Sequence, residues 1–223
     1  MTEASRQGSA SQPRSPRRAT VGFDFTHRVR VVCADMIARL PELSHIDLPR
    51  VAISFSQARK AVGHGLQATL TPMRFEQGRL WTERNGRRYT CQRLYDDDGQ
   101  EFLYILSFYL PRFLNHRLEE KLVTILHELW HISPAFDGDL RRHPGRCYVH
   151  SQSEREYDEA MARLANKWLA AEPPTKVYDF LQLSFDDLQQ RYGRVFGTKI
   201  PNPRLIPYSP SAEIPRPGKA TGT

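Results

Sequence analysis

Apolar positions along the chain change their period from segment to segment, and each change marks an element. Phe25, Val29, Val32, Met36, Ile37 and Leu40 share one helical face and Pro41 stops it, so a helix is predicted over 24–40. Val51-Ala-Ile-Ser-Phe55 has the length and β-branched content of a short strand. Residues 67–75 alternate loosely, with Pro72 marking an edge or a bulge. Leu80–Arg84 and Arg87–Tyr95 flank Asn85-Gly86, a strong hairpin signal. Asp96-Asp-Asp-Gly-Gln100 is a turn; it lacks the spaced ligands and closing Glu of a calcium loop. Phe102–Leu110 is apolar on both faces, as a central strand is, and Pro111 closes it.

The period then returns to that of a helix. Leu118, Leu122, Ile125, Leu129 and Ile132 recur at spacings of four and three, with Asn115 the expected N-cap and Pro134 the stop. Tyr157, Met161, Leu164 and Trp168 predict a further helix over 153–169, its first turn rich in acids where the helix dipole favours them. Ser184 with Asp187 forms the capping box of a shorter one. This order predicts an α+β domain with a small, mostly antiparallel sheet.

Composition changes the picture mainly at the two ends. Of 223 residues, 39% are apolar and 26% charged, which describes a globular chain with some loose polar sequence. Residues 1–20 form a basic arm with no apolar period, residues 21–200 the expected domain, and residues 201–223 a proline-rich tail in which Leu205, Ile206 and Tyr208 are placed to dock locally. The net charge of +7 lies mostly in these tails: four arginines against Glu3 in the first, and Arg204, Arg216 and Lys219 against Glu213 in the second. Such arms suit a weak nucleic-acid contact through counterion release, or plain solubilisation. No apolar run reaches membrane-spanning length, and the first twenty residues lack a signal-peptide core. Three cysteines, Cys33, Cys91 and Cys147, form no close pair, which points to a reducing cytoplasm.

The chemistry sits in His127-Glu128-Leu129-Trp130-His131, an H-E-x-x-H sequence on the predicted helix. Residues four apart lie one above the other on a helix, so the two imidazoles can converge on one tetrahedral ion. Glu128, one step round, borders the same open side, where a carboxylate can take a proton from a zinc-activated water. The plainer reading is two histidines and a glutamate on an ordinary amphipathic helix.

The run Thr124-Ile-Leu-His-Glu-Leu-Trp-His-Ile132 resembles the extended signature of zincin-type zinc peptidases. Its continuation, Ile132-Ser-Pro-Ala-Phe-Asp-Gly-Asp-Leu-Arg-Arg-His143, looks like the phage-type metallopeptidases, small domains akin to SprT-like proteases. The resemblance is concentrated in residues 118–146 and absent from both tails. It implies a zincin-like fold, a third histidine ligand delivered by the loop after the active helix (His143 here), zinc as the metal, and a protein or peptide as substrate. Asp137 matches the same loop as a carboxylate that would orient a ligand; Asp139 is a second such candidate, and Asp137-Gly138 is equally a plain turn.

Alternatives stay open for the third ligand: His150 as a reserve, or Glu156 or Glu159 in a two-histidine, one-glutamate site. The longer H-E-x-x-H-x-x-G-x-x-H pattern fails, because Pro134 and Asp137 hold the required positions, so Met161 reads as core. Cys91 lies upstream, as a deformylase ligand does, but Thr90-Cys91-Gln92 lacks the deformylase signatures and a buried thiol is expected. Tyr148, Tyr157 and Arg146 are the candidates for stabilising an oxyanion. The competing reading from another class is a non-catalytic module, stapled by metal or by none, that binds a partner through its basic arms.

Overall fold

The computed structural model describes residues 21–58, 65–142 and 154–208, with backbone only for 154–156. Its described strands are β1 (Phe23–Asp24), β2 (Val51–Gln57), β3 (Ala68–Pro72), β4 (Thr82–Arg84), β5 (Arg87–Cys91), β6 (Tyr104–Leu110), β7 (Val195–Phe196) and β8 (Leu205–Pro207). The helices are α1 (Phe25–Arg39), α2 (Leu118–Trp130), α3 (Glu154–Ala170), α4 (Thr175–Tyr178) and α5 (Phe185–Tyr192). The fold is α+β, and among the described residues no helix is long and apolar enough to cross a membrane.

Strand order in the main sheet is β2-β6-β3. The predicted central strand is central, and the strand carrying Pro72 is an edge. The expectation of a mostly antiparallel sheet needs correction here: β2 runs parallel to β6, with Val51 opposite Tyr104, whereas β3 is antiparallel to it, with Leu70 opposite Leu106. The chain leaves β2, makes β3 and the β4–β5 hairpin as an excursion, and re-enters beside β2 in the same direction. Hydrophobic period alone carries no information about that return. Strands β4-β5-β8 form a separate antiparallel sheet, so Leu205–Pro207 of the proline-rich tail pairs with β5. Asn85 and Gly86 close the hairpin at φ +51° and +70°, the left-handed pair that a tight turn requires.

Both faces of the main sheet are covered, which is why β6 reads as continuously apolar. One face joins α1, α2 and α3 in the main core, where Phe108 meets Phe25 at 5.6 Å and Phe113 at 4.8 Å between ring centroids. Ala52 and Ile105 lie in a second cluster with Met73 and Cys91. Cys33 and Cys91 are buried free thiols, and burial raises both pKa values, that of Cys33 to about 12. The outer edge of β2 is occupied by the segment before β8: Phe55 N–H donates to the Thr198 carbonyl at 2.9 Å, and Ile200 N–H to the Ser54 hydroxyl at 2.9 Å. The outer edge of β3 faces α2.

Helix ends follow local chemistry with one exception. Asp24 caps α1 by accepting from His27 N–H at 3.0 Å, and Ser184 caps α5 by accepting from Asp187 N–H at 3.1 Å. The N-cap of helix α2 is Arg117 rather than the expected Asn115. Glu120 reaches back to accept from the Arg117 amide at 3.0 Å, and the Asn115 side-chain Oδ1 accepts instead from Phe185 N–H at 3.1 Å. A long-range partner has taken the side chain that would have capped locally.

Candidate active site at the end of helix α2

Helix α2 is anchored by its apolar stripe: Leu122, Ile125, Leu126 and Leu129 are fully buried. Near its start, Lys121 is also buried, and its ammonium donates to the carbonyls of Leu181 and Leu183 at 2.8 and 2.9 Å. Anchoring the stripe fixes the rotation of the helix and so the direction in which His127 and Glu128 point. His127 lies in the last turn and His131 is the C-cap. Their rings stand 4.6 Å apart between centroids at an interplanar angle of 80°.

Tyr157, on the facing helix α3, covers this pair. Its ring is edge-on to His127 at 4.8 Å and stacked on His131 at 6.0 Å, and its hydroxyl lies 3.5 Å from the His127 carbonyl. Burial, then the nearby Glu128 charge, pushes the phenol pKa up, so it stays a neutral donor. Of the three oxyanion candidates it is the one within the described residues; Tyr148 and Arg146 lie outside them.

Glu128 is only 9% exposed, and burial lifts its pKa from 4.5 to about 7 against the lowering effect of an amide hydrogen bond from Leu70. That donor explains itself through sheet register. Tyr109 N–H bonds to the Gln67 carbonyl and Met73 N–H to the Leu103 carbonyl, so odd-numbered residues of β3 face β6 and the Leu70 amide faces outward. Thr124, one turn earlier on α2, also reaches β3, its hydroxyl donating to the Gln67 side chain at 2.9 Å. A sheet edge thus supplies a contact that sequence reading missed; no local signal encodes which strand comes to lie beside the helix.

Past His131 the chain turns back through the loop that holds Pro134 and Gly138. Ile132 and Leu140 form an antiparallel bridge, and Arg141 N–H donates to the His131 carbonyl at 2.7 Å. Tyr104 holds the loop from below: its hydroxyl donates to the Asp139 carbonyl at 2.9 Å and accepts from Gly138 N–H at 3.0 Å. Gly138 sits at φ +87°, and a Cβ there would come within 2.5 Å of Arg74 Cγ, so only glycine fits. Arg141 lies over the Trp130 ring at 4.2 Å while its Nε donates to the Trp130 carbonyl at 2.7 Å, closing the end of α2.

Both loop carboxylates are engaged in building this loop. Asp137 accepts from Asp139 N–H at 3.1 Å, a local turn. Asp139 is buried; burial would raise its pKa, but Arg142 and the amides of Leu140 and Gln77 outweigh that and hold it low. Glu159 is exposed and lies two residues from Tyr157, roughly 200° round the helix from the face that meets the histidines. Cys91 belongs to the second apolar cluster, as expected of a structural thiol. His143 and His150, and the side chain of Glu156, lie outside the described residues.

Among the described residues no group of three or more His, Cys, Asp or Glu is arranged to hold a metal ion. The described residues supply two neighbouring imidazoles, the kind of donor zinc commonly takes, and a complete zinc site would need at least one ligand more. No family model, no curated protein and no solved structure matches the chain.

Proposed function

We propose that this chain is a zinc-dependent peptide-bond hydrolase with a zincin-like fold. The observation that carries the reading is geometric: Glu128 is a buried carboxyl adjacent in sequence to one of two imidazoles whose rings stand 4.6 Å apart on the same helix end. His127, His131 and His143 would hold the ion. His143 follows Arg141, whose amide bonds His131, by two residues, roughly 7 Å of extended chain at most. When bound, zinc supplies Lewis-acid polarisation and lowers the pKa of a coordinated water.

The protein's own groups do the rest. The Glu128 carboxylate accepts a proton from the attacking water and returns it to the departing amine nitrogen. The Tyr157 hydroxyl is the candidate donor to the carbonyl oxygen as charge develops there. Strand β3 is the sheet edge beside α2, and an extended peptide substrate would lie near it. The two buried free thiols fit a reducing cytoplasm.

Zinc content and peptide hydrolysis, measured side by side, test the reading. Glu128→Gln should keep zinc and lose hydrolysis, while His143→Ala should lose zinc. Full activity in Glu128→Gln would remove the base. Wild-type zinc content together with no hydrolysis by any form would favour the non-catalytic module.

A further inference from the structure

Arg141 is a cation without a counterion at the end of helix α2. Its amide donates to the His131 carbonyl at 2.7 Å, next to the Ile132–Leu140 bridge, so the two residues stand opposite each other. The guanidinium is half-buried and lies over the Trp130 ring at 4.2 Å, its Nε donating to the Trp130 carbonyl at 2.7 Å. Among the described residues neither of its Nη groups meets an acceptor, and no carboxylate pairs with the charge. The titratable groups that face it are neutral: burial, then the Arg141 charge, lowers the pKa of His45, and burial raises that of Tyr157. Arg142, the next residue, shows the ordinary arrangement, donating to both oxygens of Asp139 at 2.8 and 3.1 Å.

Helix geometry puts the unpaired charge on a particular side of the site. At roughly 100° per residue, Glu128 falls about 60° beyond His131, and Trp130 about 60° beyond His127. The imidazole pair therefore lies between the Glu128 carboxyl and the Trp130–Arg141 stack. Tyr157, which covers the pair, is near enough to feel the Arg141 charge. From this placement we propose that Arg141 selects the substrate by binding a carboxylate of the peptide, at the chain terminus or on an acidic side chain beside the bond to be cut. The two Nη groups form an end-on fork that a planar carboxylate fits, and the contact with Trp130 holds that fork in place beforehand. A permanent cation suits an anion already present in the ground state. The oxygen that gains charge only during the reaction is left to Tyr157.

That the peptide is a substrate rests on the peptidase reading, but its binding is measured without turnover. Calorimetry of the full-length protein in chelator, where no metal can take the carboxylate, uses three N-acetylated, alanine-rich peptides of one length. One has a free C-terminus, one is amidated, and one is amidated with a central glutamate. At least one carboxylate peptide should bind about tenfold more tightly than the neutral amide, and the one that does names the source. Arg141→Gln should bring this ratio to about one, while Arg141→Lys should keep about threefold, because the charge remains and the fork is lost. A loosened helix end would weaken all three peptides alike, so the ratio separates recognition from packing. Equal binding of the three peptides by the wild type, or none, would overturn the proposal, as would an unchanged ratio in Arg141→Gln. With zinc restored, hydrolysis indifferent to the carboxylate would overturn it too. A carboxylate preference without hydrolysis by any form would support the Arg141 assignment and sink the peptidase reading alone.

Discussion

Replacing Glu128 by Gln should make the metal-free protein more stable above neutral pH, although it removes the proposed base. The carboxyl is almost fully buried, and burial moves its pKa from 4.5 to about 7. Between those values the folded chain keeps a proton that the unfolded chain has released. The stability contributed by the neutral form is complete below pH 4.5 and is lost as pH rises through 7. At about 1.4 kcal/mol per unit, a shift from 4.5 to about 7 corresponds to a loss of about 3.5 kcal/mol. Glutamine is neutral throughout, and its oxygen can still accept from the Leu70 amide. The assay is urea denaturation of both proteins in chelator between about pH 4.5 and 8.5, taking the difference between them so that other titrations cancel. The difference should grow with pH in favour of the variant and level off above about pH 8. Parallel curves, or a variant less stable at the alkaline end, would refute the claim that burial sets the Glu128 pKa.

Other perturbations follow from the scaffold. Tyr104→Phe leaves the Asp139 carbonyl and the Gly138 amide without their partner, so calorimetry should show a loss of about 2–4 kcal/mol, with faster hydrogen exchange in the loop after α2. Lys121→Met removes two buried hydrogen bonds and should cost about 2 kcal/mol near neutral pH. Burial lowers the Lys121 pKa from 10.5 to about 8, so the unfolded chain holds the extra proton between those values. Wild-type stability should therefore carry a rising contribution across that window which Lys121→Met lacks. Leu126→Ala, in the middle of the buried stripe of α2, should cost about 3 kcal/mol by denaturant titration; a value under about 1 would mean the helix is not held by that stripe.

Local patterns were sufficient for much of this chain. The 3.6-residue period placed α1, α2 and α3, the Ser184–Asp187 box placed the start of α5, and Asn85-Gly86 placed the hairpin. Each rests on interactions within a few residues, which sequence records directly. The H-E-x-x-H spacing belongs to the same class, because four residues on a helix fix the relative position of two side chains. Tertiary structure alone decided the rest. The parallel return of β6 beside β2, the pairing of β8 with β5, and the use of Asn115 by Phe185 rather than as a cap all join residues far apart in the chain. So does the environment of Glu128. Its neighbours along the sequence make it an ordinary glutamate, and only the arrival of the Leu70 edge and the closure of the core around it change its proton affinity. Spacing determines where a side chain points, and packing determines what surrounds it there; the chemistry of a carboxyl depends on the second.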